Sequence, residues 1–178
     1  MSRLTTLTGI VLGQKLYGDA DALVTIMTRE DGKMTVMAKG IRKLTSRKRG
    51  NLLPFTLVKF QKTGTSLPLM TEVETLLHFQ ELRTDMAKVS VAYFFCEVVS
   101  RVMQDGEKNE NVYELLFESL NELNSSDRLK AIRNEFTISI LETLGFWPEG
   151  QELTKPDTLL EEVMERKLGS IRIGKQMQ

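Results

Sequence analysis

Six basic residues and no acid stand between Lys39 and Arg49: Lys39, Arg42, Lys43, Arg47, Lys48 and Arg49. Ammonium and guanidinium groups at that density can neutralise phosphates and release the counterions condensed around a nucleic acid. The acid-free window runs from Asp31 to Glu72 and takes in Lys33, Lys59 and Lys62 as further positive charges. A short charge run usually does no more than solvate a loop. Here the run lies between strand-like segments, so it is expected to be displayed on a folded surface. It also dominates its half of the chain. Residues 1–71 hold 12 Lys+Arg against 4 Asp+Glu, and residues 72–178 hold 12 against 20, so the net charge of zero conceals +8 and −8. Such asymmetry points to nucleic acid or another polyanion.

Other chemistry is sparse. His78, the one histidine, sits in Leu76-Leu77-His78-Phe79 and reads as a packed residue. Cys96, the one cysteine, lies in the most apolar helical stretch and reads as a buried structural thiol, since reactive thiols need an electropositive, partly exposed setting. One cysteine excludes an internal disulfide and any CxxC zinc site, and suits a reducing cytoplasm. The segment Gly169-Ser170-Ile171-Arg172-Ile173-Gly174-Lys175-Gln176 has the glycine and lysine spacing of a phosphate-binding loop. It lacks the Ser/Thr that would ligate magnesium and follows a helix pattern instead of a strand. The carboxylates of the second half fall at solvent-facing helical positions. Nothing pairs a nucleophile with a base. No enzymatic activity, metal or cofactor is expected.

The elements that must position the basic run can be read from periodicity. Apolar residues make up 41% of the chain and charged ones 27%, an ordinary globular balance. Ile10 to Tyr17 is β-rich and ends at the turn pair Gly18-Asp19. Leu23 to Arg29 alternates, with Val24 and Ile26 on one face and Leu23, Thr25 and Met27 on the other. Asp31-Gly32 is a hairpin signal, after which Met34, Val36 and Ala38 share a face. Further strands are expected over 55–61 and 67–76, with Pro68 marking an edge near the start of the last. Five short strands suggest a small closed barrel of the oligonucleotide-binding (OB) type, with an SH3-like barrel as the nearest competitor.

After Phe79 the period becomes helical. Val89, Ala92, Tyr93, Cys96, Val99 and Met103, widened by Phe94, Phe95, Val98 and Val102, predict a central, mostly buried helix. Val112, Leu115, Leu116, Leu120 and Leu123 mark a second, with Glu114, Glu118 and Glu122 outside. Ser125-Ser126-Asp127 offers capping for a third, carried by Leu129, Ile132, Phe136, Ile140 and Leu144 and stopped by Gly145. Thr154 as cap and Pro156 near the first position begin a fourth, with Leu159, Leu160, Val163, Met164 and Leu168 inward and Gly169 at its end. The fold class is therefore α+β: an OB-fold barrel over 1–80 and an α-helical domain over 81–178, packed together directly. No apolar run has membrane-spanning length, and the N-terminus lacks a secretory pattern.

The first half resembles the bacterial DNA repair protein RecO family. The carrying residues are Ile10-Val11-Leu12, Tyr17-Gly18-Asp19-Ala20-Asp21-Ala22-Leu23-Val24-Thr25, Thr28 to Lys33, Ala38-Lys39-Gly40 with the basic run to Gly50, and Leu53-Pro54-Phe55. Ala-Lys-Gly followed by basic residues and a serine is the most telling piece. Ala92-Tyr93-Phe94 with Glu97, the Leu115-Leu116 helix, and Phe136 leading to Leu144-Gly145-Phe146-Trp147-Pro148 look like the family's helical region. The resemblance implies binding of single- and double-stranded DNA, annealing of complementary strands, and partnership with RecR and the single-stranded-DNA-binding protein SSB in loading RecA. It implies a cytoplasmic, nucleoid-associated protein. Many relatives carry a four-cysteine zinc module after the Gly-Phe-x-Pro region, so this chain reads as a short form without it.

The expectation is thus a non-catalytic DNA repair and recombination mediator of the RecF pathway. Its binding residues are Lys33, Lys39, Arg42, Lys43, Arg47, Lys48, Arg49, Lys59 and Lys62. Arg128, Lys130 and Arg133, the close basic cluster of the acidic half, are the candidate pocket for SSB's acidic, apolar-ended tail, or else they only solvate a helix. The alternatives are a protein-interaction adaptor working through the acidic helices and an RNA-binding OB module.

Overall fold

The structure is a computed structural model and describes residues 4–41, 43, 46 and 50–165. Five strands come first: β1 (Thr5–Tyr17), β2 (Asp21–Thr28), β3 (Gly32–Ala38), β4 (Leu57–Thr63) and β5 (Leu69–Leu77). They close into a barrel in the order β1-β2-β3-β5-β4. This is the OB-type barrel the alternating segments predict. All neighbours are antiparallel except β3 and β5, which meet in parallel through Met37 and Leu69. Pro68 sits at that seam. It has no amide to give, and its carbonyl accepts from the Met37 N–H at 2.8 Å.

Alternation decides which side chains fill the barrel. Ala22, Val24 and Ile26 of β2 lie directly across from Ala38, Val36 and Met34 of β3. They point inward with Leu7, Val11, Val58, Phe60 and Met70. The opposite phase points outward. Ile10, Leu12 and Met27 leave the barrel on one side and join the core of the helices. Most of β1 pairs with β2, and its register shift between Val11 and Gly13 lets the strand bend away from β4.

The helices follow: α1 (Gln80–Arg83), α2 (Met86–Val102), α3 (Glu110–Ser125) and α4 (Leu129–Thr143), then a further helical segment, α5, over 156–165. The spacing finds α2 to α5 and misses the single turn α1. Asp85 caps α2, accepting from the Ala87 and Lys88 amides, and Asn109 caps α3 by accepting from Val112. The Ser125-Ser126-Asp127 cap of α4 is realised differently. Arg128 occupies the cap position with no side-chain cap bond, while Asp127 turns to the buried Lys88 at 3.0 Å and ties α2 to the α3–α4 turn. Gly145 stops α4 as expected, at φ +76, with the Phe146 amide donating back to Leu141. Pro156 is the first helical residue of α5, and the cap position falls on Lys155, whose carbonyl accepts from Leu159, instead of on Thr154. Leu168 and Gly169 lie outside the described residues.

Phe95, Phe136, Leu116, Leu120, Ile132 and Ile140 are at most 1% exposed and form the centre of the helical core. Cys96 is buried there, and burial pushes its thiol up to about 12, so it stays a protonated structural group. His78 is half-buried, and its carbonyl accepts from Arg83 Nε at 2.7 Å.

A clasp fastens the barrel to the helices. Arg29, at the β2–β3 turn, meets Glu110 at 3.2 Å and Glu114 at 2.7 Å on α3. Gly32 faces the α2–α3 connection, where an added Cβ would fall 2.1 Å from the Glu107 carbonyl oxygen, and its φ is +75. Only glycine suits both conditions. Gly32→Ala is therefore expected to lower the unfolding free energy by about 2–3 kcal/mol, from left-handed strain and overpacking together. A urea midpoint unchanged by the substitution would mean that the connection is not seated on the hairpin.

Candidate nucleic-acid interface

Two apolar residues anchor the chain on either side of the last five cations of the basic run. Ile41 is 2% exposed and Leu52 fully buried, and both belong to the barrel core. Both ends of the stretch that carries the last five cations are therefore held in the barrel. Its first turn is pinned by the Gly40 amide, which donates to Asp21 Oδ1 at 2.8 Å, and by the Lys43 amide, which donates to Gly40 O at 3.1 Å. Lys39 and Lys43 are exposed there. Arg42, Arg47, Lys48 and Arg49 lie outside the described residues.

The other predicted lysines are not gathered at this end. Lys33 opens β3 and Lys39 follows it, roughly 20 Å of strand apart. Lys33 is 12% exposed: its Nζ donates to the Ser100 carbonyl at 2.8 Å and meets Asp105 at 3.3 Å, binding the barrel to the end of α2. Lys62 meets Asp31 at 3.2 Å in the same cleft, beside Thr65, Ser66 and Pro68 of the β4–β5 connection. Lys59 is exposed on β4 with Thr8 on one side and Glu74 on the other. The structure thus separates Lys39 and Lys43 from Lys33 and Lys62, and gives the latter two carboxylate partners.

A further surface adjoins the run. The outward residues of the first three strands form rows: Lys15 across from Leu23 across from Met37, and Gly13 across from Thr25 across from Thr35. The Thr25 and Thr35 hydroxyls are 3.5 Å apart. Leu23, Thr25, Thr35 and Met37 are partly exposed, Lys15 is exposed, and Tyr17 at the end of β1 is 49% exposed. In OB barrels the face of strands 2 and 3, with the 1–2 and 4–5 loops, takes oligonucleotides. Sequence reasoning places these residues on strands but does not single out Lys15, Tyr17, Leu23 or Met37. Their signal is the outward phase of the alternation that carries Val24 and Val36 inward.

In the helical half, Arg128 meets Glu122 at 2.8 Å, and Arg133 meets Asp157 at 2.9 Å while lying 4.2 Å over the Phe94 ring. Lys130 is exposed and has no ion pair among the described residues. Among the described residues no cluster of His, Cys, Asp and Glu could hold a metal ion, and no helix is long and apolar enough to cross a membrane.

Comparison with known proteins places this architecture. Residues 1–79 match the family described as Recombination protein O N terminal, and residues 83–154 match Recombination protein O C terminal. The chain belongs to the RecO family. The DNA repair protein RecO of Bacillus subtilis (strain 168) is 33% identical over 147 residues, covering 82% of this chain and 58% of that protein. Those of Symbiobacterium thermophilum and Roseiflexus sp. (strain RS-1) are 32% and 30% identical over 142 and 158 residues, covering 79% and 88% of this chain and 56% of each relative. The chain thus spans a little over half the length of the RecO proteins it matches. The two family matches meet where β5 gives way to α1, so the RecO N-terminal region corresponds to the barrel and the C-terminal region to α2, α3, α4 and the connection after it.

Proposed function

We propose that this RecO-family chain is a non-catalytic DNA repair and recombination mediator that binds single- and double-stranded DNA through the barrel and promotes strand annealing. The observation that carries the reading is the anchored basic run: five cations between the buried core residues Ile41 and Leu52 and a sixth, Lys39, just before them, beside the partly exposed β1–β2–β3 face. Complementary strands repel through their phosphates. Lys39, Arg42, Lys43, Arg47, Lys48 and Arg49 neutralise that charge and release counterions. The run has no aromatic residues between its charges, so it leaves bases free to pair. Lys59 extends the positive surface along β4. Lys33 acts mainly by tying the barrel to the end of α2 and Lys62 by tying β4 to the β2–β3 turn, and they reach phosphate only by leaving Asp105 and Asp31.

Within this reading RecR and SSB are the protein partners in loading RecA, and the site of action is the cytoplasmic nucleoid. The acidic SSB tail is drawn to Arg128, Lys130 and Arg133. Lys130 is the cation available at once, since a tail at the other two competes with Glu122 and Asp157.

The test is filter binding of single-stranded DNA, duplex DNA and RNA across a salt series. If about six phosphates are contacted, log K for single strands falls against log salt with a slope of roughly −4, without preference for base composition. A slope near zero, or a strong composition preference, contradicts a phosphate-tracking run. Preference for RNA selects the RNA-binding module, and no binding to any of the three selects the adaptor.

A further inference from the structure

Tyr93 is left unused by that reading. Its spacing places it in the apolar stripe of α2, yet the residue is 50% exposed, on the same side of the helix as Met86, which is 77% exposed. The ring is nonetheless held. Phe55 meets it edge-on at 5.2 Å between centroids and 89° between planes. Phe55 is itself fixed: it is buried, its backbone is left-handed at φ +50, and its amide donates to Val11 O at 2.7 Å. The Arg83 guanidinium lies 4.4 Å over the Phe55 ring. Arg83 donates to the carbonyls of His78 and Pro54 and to Thr56 Oγ1, and it has no carboxylate partner among the described residues. Leu53, 40% exposed, belongs to the same returning segment, which leads directly out of the basic run. A half-exposed aromatic, a cation without a carboxylate partner among the described residues, and the Pro54-Phe55 segment that follows the basic run in sequence therefore come together.

We infer that Tyr93 is a stacking platform for one unpaired base of a single strand, with Arg83 attracting that nucleotide's phosphate. The inference rests on the DNA-binding reading and adds to it a contact that only single strands can make, because a duplex hides the faces of its bases. Aromatic stacking is tolerant of sequence and contributes about tenfold in affinity per base. An acidic peptide with an apolar end also suits a cation beside an aromatic ring. The base is favoured because the segment at this surface, Leu53 to Phe55, follows the six cations of the basic run directly in sequence.

The experiment compares the full chain with Tyr93→Ala, Tyr93→Leu and Tyr93→Phe, using an oligonucleotide carrying 2-aminopurine and the matching duplex at one salt concentration. Tyr93→Leu keeps Phe55 covered and guards against a folding defect in the alanine variant. Tyr93→Ala and Tyr93→Leu are expected to weaken single-strand binding about tenfold, leave duplex binding within about twofold, and lose the fluorescence change that reports stacking. Tyr93→Phe should retain all three. The inference is overturned if Tyr93→Leu binds single strands with wild-type affinity and signal, or weakens both forms equally. It is also overturned if Tyr93→Leu loses only an acidic Phe-ended peptide. Wild-type protein that binds no nucleic acid would instead sink the DNA-binding reading itself.

Discussion

Phe136→Ala is expected to lower the unfolding free energy by about 3–5 kcal/mol, the range for removing a large aromatic from a packed core. Phe136 is 1% exposed. Its ring centroid lies 4.2 Å from that of Phe95 and 6.3 Å from that of Phe94. Those neighbours belong to α2 and Phe136 to α4, so the vacated volume opens the contact between the two helices. The same core runs on through Phe79 and Leu82 to Ile10, Leu12 and Met27 on the outer wall of the barrel. Loss of the helices would uncover that wall, so barrel and helices should melt in one transition. Denaturant unfolding followed by tryptophan fluorescence and by far-ultraviolet circular dichroism checks both points. A loss under about 1 kcal/mol, or two separated transitions, would mean that the helices do not share this core.

The strands were legible because each buries one face. Ala22, Val24 and Ile26, and then Met34, Val36 and Ala38, alternate with more exposed residues, so period and direction follow together. The ends were less legible. Phe55 looks like the start of β4, but its positive φ sends the chain across Val11 first, and β4 begins at Leu57. Local sequence offers Ser125-Ser126-Asp127 as the cap of α4, but Asp127 pairs with Lys88, a partner 39 positions earlier that no local pattern reveals. Tyr93 was misplaced for a related reason. The stripe of α2 is wide enough that spacing alone cannot tell its edge from its centre. At the candidate site, charge density singled out the basic run, whereas Lys33 and Lys62 looked equivalent to Lys39 and Lys43. Only the fold brings Asp31 and Asp105 to the first pair.

DNA binding and annealing by this chain rest most directly on the charge of the anchored run. Replacing Arg42, Lys43, Arg47, Lys48 and Arg49 by Glu changes the local charge by ten units while leaving Ile41 and Leu52 in the barrel core. None of the five belongs to either apolar core, and substitutions outside a core usually shift stability by no more than about half a kcal/mol each, so the fold is expected to survive, which circular dichroism verifies. Both DNA affinity and annealing depend on phosphate neutralisation and should fall together, by about a hundredfold or more at moderate salt. The decisive measurement is the annealing rate of two complementary oligonucleotides with the folded five-fold Glu variant beside the unaltered chain. The expected rate is no greater than that of the oligonucleotides alone. A folded variant that anneals at the unaltered rate contradicts a role for the run in annealing.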